Sequence, residues 1–221
     1  MLDWIFNVAS HPLMPWVSAG FILLWGFGTW VSFRSKLSTL YQTLDDASDI
    51  VESHLSTPDF ATSFERLDQD LSLIQGIKTP WSEFNSALIH SSESDIQITK
   101  SPETFFNFDS LVLPKINFRY YQTVPGYLIG VGLVFTFVGF VVALSFTQQG
   151  LSSTDIGVVK VALDGLLNTA ILKFSASIAG LVSGLFLSWS EKVNSNILEK
   201  KIANLCQLFS QRIDVVTEEE V

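Results

Sequence analysis

The sequence predicts an all-α membrane protein: three transmembrane helices, a helical cytoplasmic insertion after the first, and a helical cytoplasmic extension after the third. Three observations predict it. Residues 127–146 and 169–189 are apolar runs of about 20 residues, the length of helix that crosses a hydrocarbon core of roughly 30 Å. A third apolar run, 13–33, precedes them. The charged residues are sorted between these blocks rather than scattered through them, in a chain whose composition is 48% hydrophobic, more block-like than a soluble core requires.

The 221 residues divide into a short N-terminus with the first span (1–33), a polar region (34–124), the second span (125–147), a connection with a short surface helix (148–168), the third span (169–190) and a terminal helix (191–221). Residues 1–12 contain Asp3, no basic n-region and no small-x-small cleavage site, so the first span reads as retained rather than as a removable signal. Trp4, Trp16 and Trp30 fall near its ends, where amphipathic rings favour the interface, and Trp25 falls deeper, where it is expected to pack against protein.

The polar region reads as helical. Leu37, Leu40, Leu44, Ala47, Val51 and Leu55 recur at three- or four-residue steps and prolong the first span as one helix. Thr57-Pro58-Asp59 is expected to break it. Phe60, Phe64, Leu67, Leu71 and Ile74 form a second stripe. Thr79-Pro80 reads as an N-cap with proline at N1, opening a short helix through Trp81, Phe84 and Leu88. Residues 91–100 read as loop or a short strand. Ser101-Pro102 opens a further helix whose Phe105, Phe106, Phe108 and Leu111 are expected against the membrane or a neighbouring subunit.

Pro125 is expected to mark the entry of the second span. On this span Gly132, Thr136, Gly139 and Ala143 are four, three and four residues apart, so one side is small and weakly polar. The third span repeats the device with Ala176, Gly180 and Gly184. Such faces seek another helix. In 156–166, Ile156, Val159, Leu163 and Leu166 predict the short surface helix. Beyond Trp189, Leu198, Ile202, Leu205, Phe209, Ile213 and Val216 continue an apolar seam that demands a helix partner. The acidic end, Glu218 to Glu220, reads as the start of a longer tail.

Charge sets the orientation. Arg34, Lys36, Lys115, Arg119, Lys192, Lys200 and Lys201 flank one set of span ends, against Lys160 alone in the opposite connection, which predicts N-out and C-in. The net charge of -9 argues against a general nucleic-acid footprint. The single Cys206 excludes an intramolecular disulfide and reads as reduced and inert. His11, His54 and His90 lie far apart without ligand-spaced neighbours, so no metal is expected. Gly126, Gly130 and Gly132 lack a P-loop lysine and read as helix packing. Asp45, Asp46, Asp49 and Glu52 read as a solvated face whose repulsion a basic neighbour would relieve. No catalytic constellation or cofactor site stands out, and no enzyme activity is expected.

The polar residues of the spans are hydroxyls: Thr136, Ser145, Ser175, Ser177 and Ser183, each able to bond a carbonyl one turn back. Lys173 would cost about 2.5–3.5 kcal/mol at mid-membrane, so it is expected at the outer interface or a wet lumen. Neither core span contains an acidic residue. A proton relay through a membrane ordinarily needs a titratable group, so an ion carrier would have to come from another chain.

Val124-Pro125, the run Gly132-Leu133-Val134-Phe135-Thr136-Phe137-Val138-Gly139, and Ala176-Ser177-Ile178-Ala179-Gly180-Leu181 resemble the paired core helices of the MotA/TolQ/ExbB proton-channel family. Within it they are most similar to the branch of the Zorya anti-phage defence system. The resemblance covers about residues 120–192. It implies a homopentamer in the bacterial inner membrane, whose second and third spans surround two single-span, MotB-like partner helices carrying an intramembrane Asp and a peptidoglycan-binding domain. It implies further that Thr136, Ser177, Ser175 and Thr147 lie along the ion path. Ser177 stands where the family usually has threonine, and Phe135 where glycine often precedes the first threonine. A TolQ/ExbB-like or flagellar energiser, or a membrane scaffold or sensor without a channel, are the alternative readings.

Overall fold

A computed structural model describes residues 13–55, 60–92, 95–151, 155–211 and 213–215. Among the described residues the structure is 85% helical, with no closed sheet. Its elements are α1 (Met14–Leu55), α2 (Phe60–Leu73), α3 (Lys78–Ser86), β1 (Leu88–Ser92), β2 (Asp95–Ile98), a 3-10 turn (Pro102–Thr104), α4 (Phe108–Leu111), α5 (Phe118–Leu151), α6 (Ile156–Ser210) and β3 (Asp214–Val215). Two compact units form from discontinuous stretches: 1–32 with 119–191, and 33–118 with 192–221. Among the described residues, two helices are long and apolar enough to cross a membrane, Met14–His54 and Phe118–Ser145. The third expected span, 169–190, lies within α6, and the side chains of 168–173, Lys173 included, are outside the described residues. So are residues 1–12, the expected break at 57–59 and the acidic end at 216–221.

The first unit packs the start of α1 against parts of α5 and α6. Ala19, Ile22, Val124, Leu128, Ala176, Ala179 and Leu187 form its core, with Trp25, Trp30, Val131 and Phe135 packed at the edge. Trp25 thus meets protein, as its depth predicted, whereas Trp16 is exposed. Pro125 does not open the helix. Helix α5 begins at Phe118, and Pro125 sits inside it. A proline there forfeits one intrahelical hydrogen bond, and the buried side chains of Val124 and Leu128 on either side hold the turn by packing.

The second unit has a core read from two sequence stripes. Phe33, Leu37, Leu40, Leu44, Ala47 and Val51 of α1 are all buried, as are Leu198, Ile202, Leu205 and Phe209 of α6. The seam after Trp189 therefore finds its partner within the same chain. The Tyr41 hydroxyl donates to Asn194 Oδ1 at 2.9 Å, and Lys201 pairs with Asp45 while its ammonium lies 5.7 Å from the centre of the Tyr41 ring. Lys201 is the basic neighbour that the acidic face of α1 required. Asp45, Ser48, Asp49, Glu52, Lys200 and Lys201 line a groove of about 320 Å³ beside it.

Phe106 faces neither lipid nor another subunit. Its ring stacks on Phe209 at 5.1 Å between centroids, Phe84 lies 5.3 Å from Phe106, and Trp81 stacks on Phe209 at 5.7 Å. Burying four large rings together removes more apolar area from water than an exposed stripe could. Asp68 anchors this cluster by accepting from Trp81 Nε1 at 2.7 Å and from Asn85 Nδ2 at 2.9 Å. Helix α3 starts earlier than Thr79 predicts, at Lys78 after Ile77. The segment after Ser101 is two short turns, the second closed by a capping box between Asn107 and Ser110. Asn107 opens the second turn, its side-chain oxygen accepting from the Ser110 backbone N–H at 2.9 Å.

Two further expectations change. The short helix predicted for 156–166 is not separate, because Ile156–Ser210 is one helix of 55 residues. The terminal helix stops at Ser210, and Asp214–Val215 adds a parallel strand to β2, which pairs antiparallel with β1. Ile213 is buried, so the apolar spacing that suggested more helix instead plugs the core from an extended segment.

Candidate functional site

Two of the hydroxyls named from sequence, Thr136 and Ser177, sit at or within a turn of the place where α5 and α6 meet backbone to backbone. A side chain placed on Gly132 would have its Cβ 2.7 Å from the Ala176 carbonyl oxygen, 3.2 Å from Ser177 Cα and 3.3 Å from Gly180 Cα. One on Gly180 would lie 2.5 Å from the Leu128 carbonyl oxygen, and one on Gly184 2.9 Å from that of Pro125. The two backbones therefore touch along an antiparallel ladder, Gly132 at Ala176 and Gly180, then Leu128 at Gly180, then Pro125 at Gly184. Small-xxx-small spacing exists for such contact, since van der Waals packing between helices is what lipid does not outcompete. Gly26 of α1 joins the ladder at Ser183, whose Cβ would lie 3.0 Å from an added Cβ.

On α5, Gly132, Thr136, Gly139, Ala143 and Thr147 are all buried, a single stripe at three- and four-residue steps. Thr136 Oγ1 donates to the Gly132 carbonyl at 3.0 Å, and Thr147 Oγ1 to the Ala143 carbonyl at 2.9 Å. Each hydroxyl thus donates its proton to a backbone carbonyl one turn back on its own helix. Ser177 is half-buried on the α6 side of the Gly132 contact. Ser175 points elsewhere, donating to the Pro15 carbonyl of α1 at 3.3 Å. The structure brings Gly132, Ala176, Ser177 and Gly180 into one crossing with Thr136 a turn away. Thr147 stands three turns further along α5, about 16 Å at 1.5 Å per residue, and Ser175 belongs to the α1 contact.

The outward faces of both helices are apolar. Val134, Phe137 and Val141 of α5, and Ile178, Val182 and Leu185 of α6, are each more than two-fifths exposed.

Sequence reasoning missed one member of this unit. Glu191 is buried at 8% exposure and accepts from Gln122 Nε2 of α5 at 3.2 Å. The signal was present, because Glu191 follows Leu187 by four residues and Gly184 by seven, and so continues the inward stripe of α6. On the neighbouring residue of α5, the Tyr121 hydroxyl pairs with Ser32 Oγ of α1 at 3.1 Å.

Cys206 lies in the other unit, buried, with its thiol donating to the Phe106 carbonyl at 3.3 Å. Burial, with the Glu103 carboxylate adding to it, pushes this thiol up to about 12. Lys115 is held below its ordinary value by burial, and its ammonium occupies the space that a side chain on Gly76 would need.

No protein-family model matches the chain. Over 132 residues it is 25% identical to the Zorya protein ZorA of Escherichia coli O139:H28. The chain is similar to ZorA. The likeness covers 56% of this chain and 18% of ZorA, so the chain spans less than a fifth of that relative. Together with the two apolar helices it points to a ZorA-related membrane protein.

Proposed function

We propose that this chain is the channel-forming subunit of an ion-driven stator in the bacterial inner membrane, serving anti-phage defence as part of a Zorya-type system. Five copies would surround two copies of a single-span ZorB- or MotB-like partner. The observation that carries this reading is the bare-backbone crossing of α5 and α6 at Gly132 and Gly180, which bears Thr136 and Ser177 in a chain similar to ZorA. The rigid hydroxyl-bearing pair has no carboxylate in its apolar core. The partner's Asp supplies the proton carrier, and the two hydroxyls accept hydrogen bonds from it when it is protonated and hold water when it is not. The membrane potential supplies roughly 2.3 kcal/mol per proton for each 100 mV.

Co-expression with a neighbouring single-span protein tests this. Native mass spectrometry should give several copies of this chain and fewer of the partner, and vesicles holding both should take up protons that vesicles holding this chain alone do not. A stable monomer with full activity would reject the stator reading.

Orientation follows from the basic residues, and Cys206 makes it simple to measure. A buried thiol held up near 12 offers almost no thiolate to a maleimide, so the native chain should stay unlabelled in intact cells. Ser152→Cys should then label from outside, and Ala203→Cys, exposed on α6, only after the cells are opened. Labelling of Ala203→Cys in intact cells would reverse the topology.

A further inference from the structure

Glu191 is the one buried carboxylate among the described residues. It lies on the inward stripe of α6, two residues past Trp189, at the end of the unit where α1 reaches Ser32 and α5 begins. Its hydrogen-bond partner is neutral, the Gln122 amide at 3.2 Å. The charged residues nearest that turn in sequence, Arg119 and Lys192, are exposed, and neither forms an ion pair with it among the described residues. The titratable group on the facing turn of α5 is Tyr121, engaged with Ser32.

A residue that only fixes register has no need of a charge at this position. Burying a carboxylate without a cation costs far more than burying an amide, and a glutamine would bond Gln122 equally well. What a carboxyl adds is a proton that can be taken up and released, and Glu191 offers one directly after the expected third span, which ends at residue 190.

Resting on the stator reading, we infer that Glu191 is the proton-transfer group at the cytoplasmic end of the ion path. A proton leaving the partner's carboxyl through water binds the Glu191 carboxylate and makes an O–H bond. That bond breaks when the carboxyl passes the proton to cytoplasmic water, which restores the carboxylate and leaves no other bond changed. Gln122 is a positioning residue, holding one carboxylate oxygen while the other exchanges.

The test uses the full complex with its single-span partner, reconstituted in vesicles. Glu191→Gln keeps size and hydrogen bonding but carries no proton, and should lower proton flux by about 100-fold, within the range for loss of a positioned acid or base, with yield and melting temperature unchanged. Glu191→Asp should retain measurable flux. Gln122→Ala, which removes the register bond but no proton site, should be far milder than Glu191→Gln. Wild-type flux in Glu191→Gln overturns the assignment, as does a Gln122→Ala defect equal to it, or flux lost only together with assembly. Infrared difference spectra between acidic and neutral buffer provide a readout independent of flux, in which the wild type should show a carboxylic-acid C=O band that Glu191→Gln lacks. If the wild-type complex moves no protons, the stator reading fails, and the infrared band alone decides whether Glu191 exchanges a proton. Its absence overturns the inference.

Discussion

Thr136→Val and Ser177→Ala are each expected to abolish most proton flux and phage protection while leaving the complex assembled. Thr136 buries its hydroxyl against the Gly132 carbonyl, and valine fills the same volume. An interhelical or local hydroxyl bond in a membrane averages about 0.6 kcal/mol, so melting temperature and yield should barely move. Transport is more demanding. A hydrogen bond to a carboxyl in transit is worth on the order of 1 kcal/mol or more, and 1.4 kcal/mol of barrier is about tenfold in rate. Each variant should therefore lose about tenfold in flux, and the pair more, measured in vesicles beside complex yield. Normal flux from both would make these hydroxyls packing residues and remove them from the ion path.

Gly180→Ala carries the largest expected cost to the fold. Its new methyl would lie 2.5 Å from the Leu128 carbonyl oxygen and 3.3 Å from Gly132 Cα. Both are backbone atoms, which cannot swing aside, so α5 and α6 must part. Overpacking of this kind costs about 1–3 kcal/mol, and Gly180→Leu should prevent the crossing and the assembly altogether. Gly130→Ala is the control. Nothing lies within 4 Å of the added atom there, and its effect on this chain's own fold should stay within about 0.5 kcal/mol. Thermal melting in detergent separates the two positions. A Gly180→Ala protein as stable as Gly130→Ala would mean that the helices do not meet at this ladder.

Periodicity determined much of this protein by itself. The stripes of α1 and α6, the small-residue faces around Gly132 and Gly180, and the long apolar runs are properties of residues three and four apart on one helix, and such spacing survives any tertiary arrangement. The depth of Trp25 and the need of the acidic face for a basic neighbour were legible too, but that the neighbour is Lys201 came only from the tertiary contact. What sequence could not decide was which surface covers which stripe. The seam through Leu198 and Phe209 demanded a partner, and only tertiary contact shows that the partner is the chain's own α1, Trp81, Phe84 and Phe106. The same contact turns Phe106 inward and makes a strand of Asp214 and Val215, whose local pattern fits helix. Glu191 is the clearest case. Its spacing places it on the inward face of α6, but burial of a charge is settled by what packs over it, and Gln122 stands 69 residues away in sequence. Local propensity is written along the chain, whereas desolvation belongs to the pair of surfaces that exclude the water.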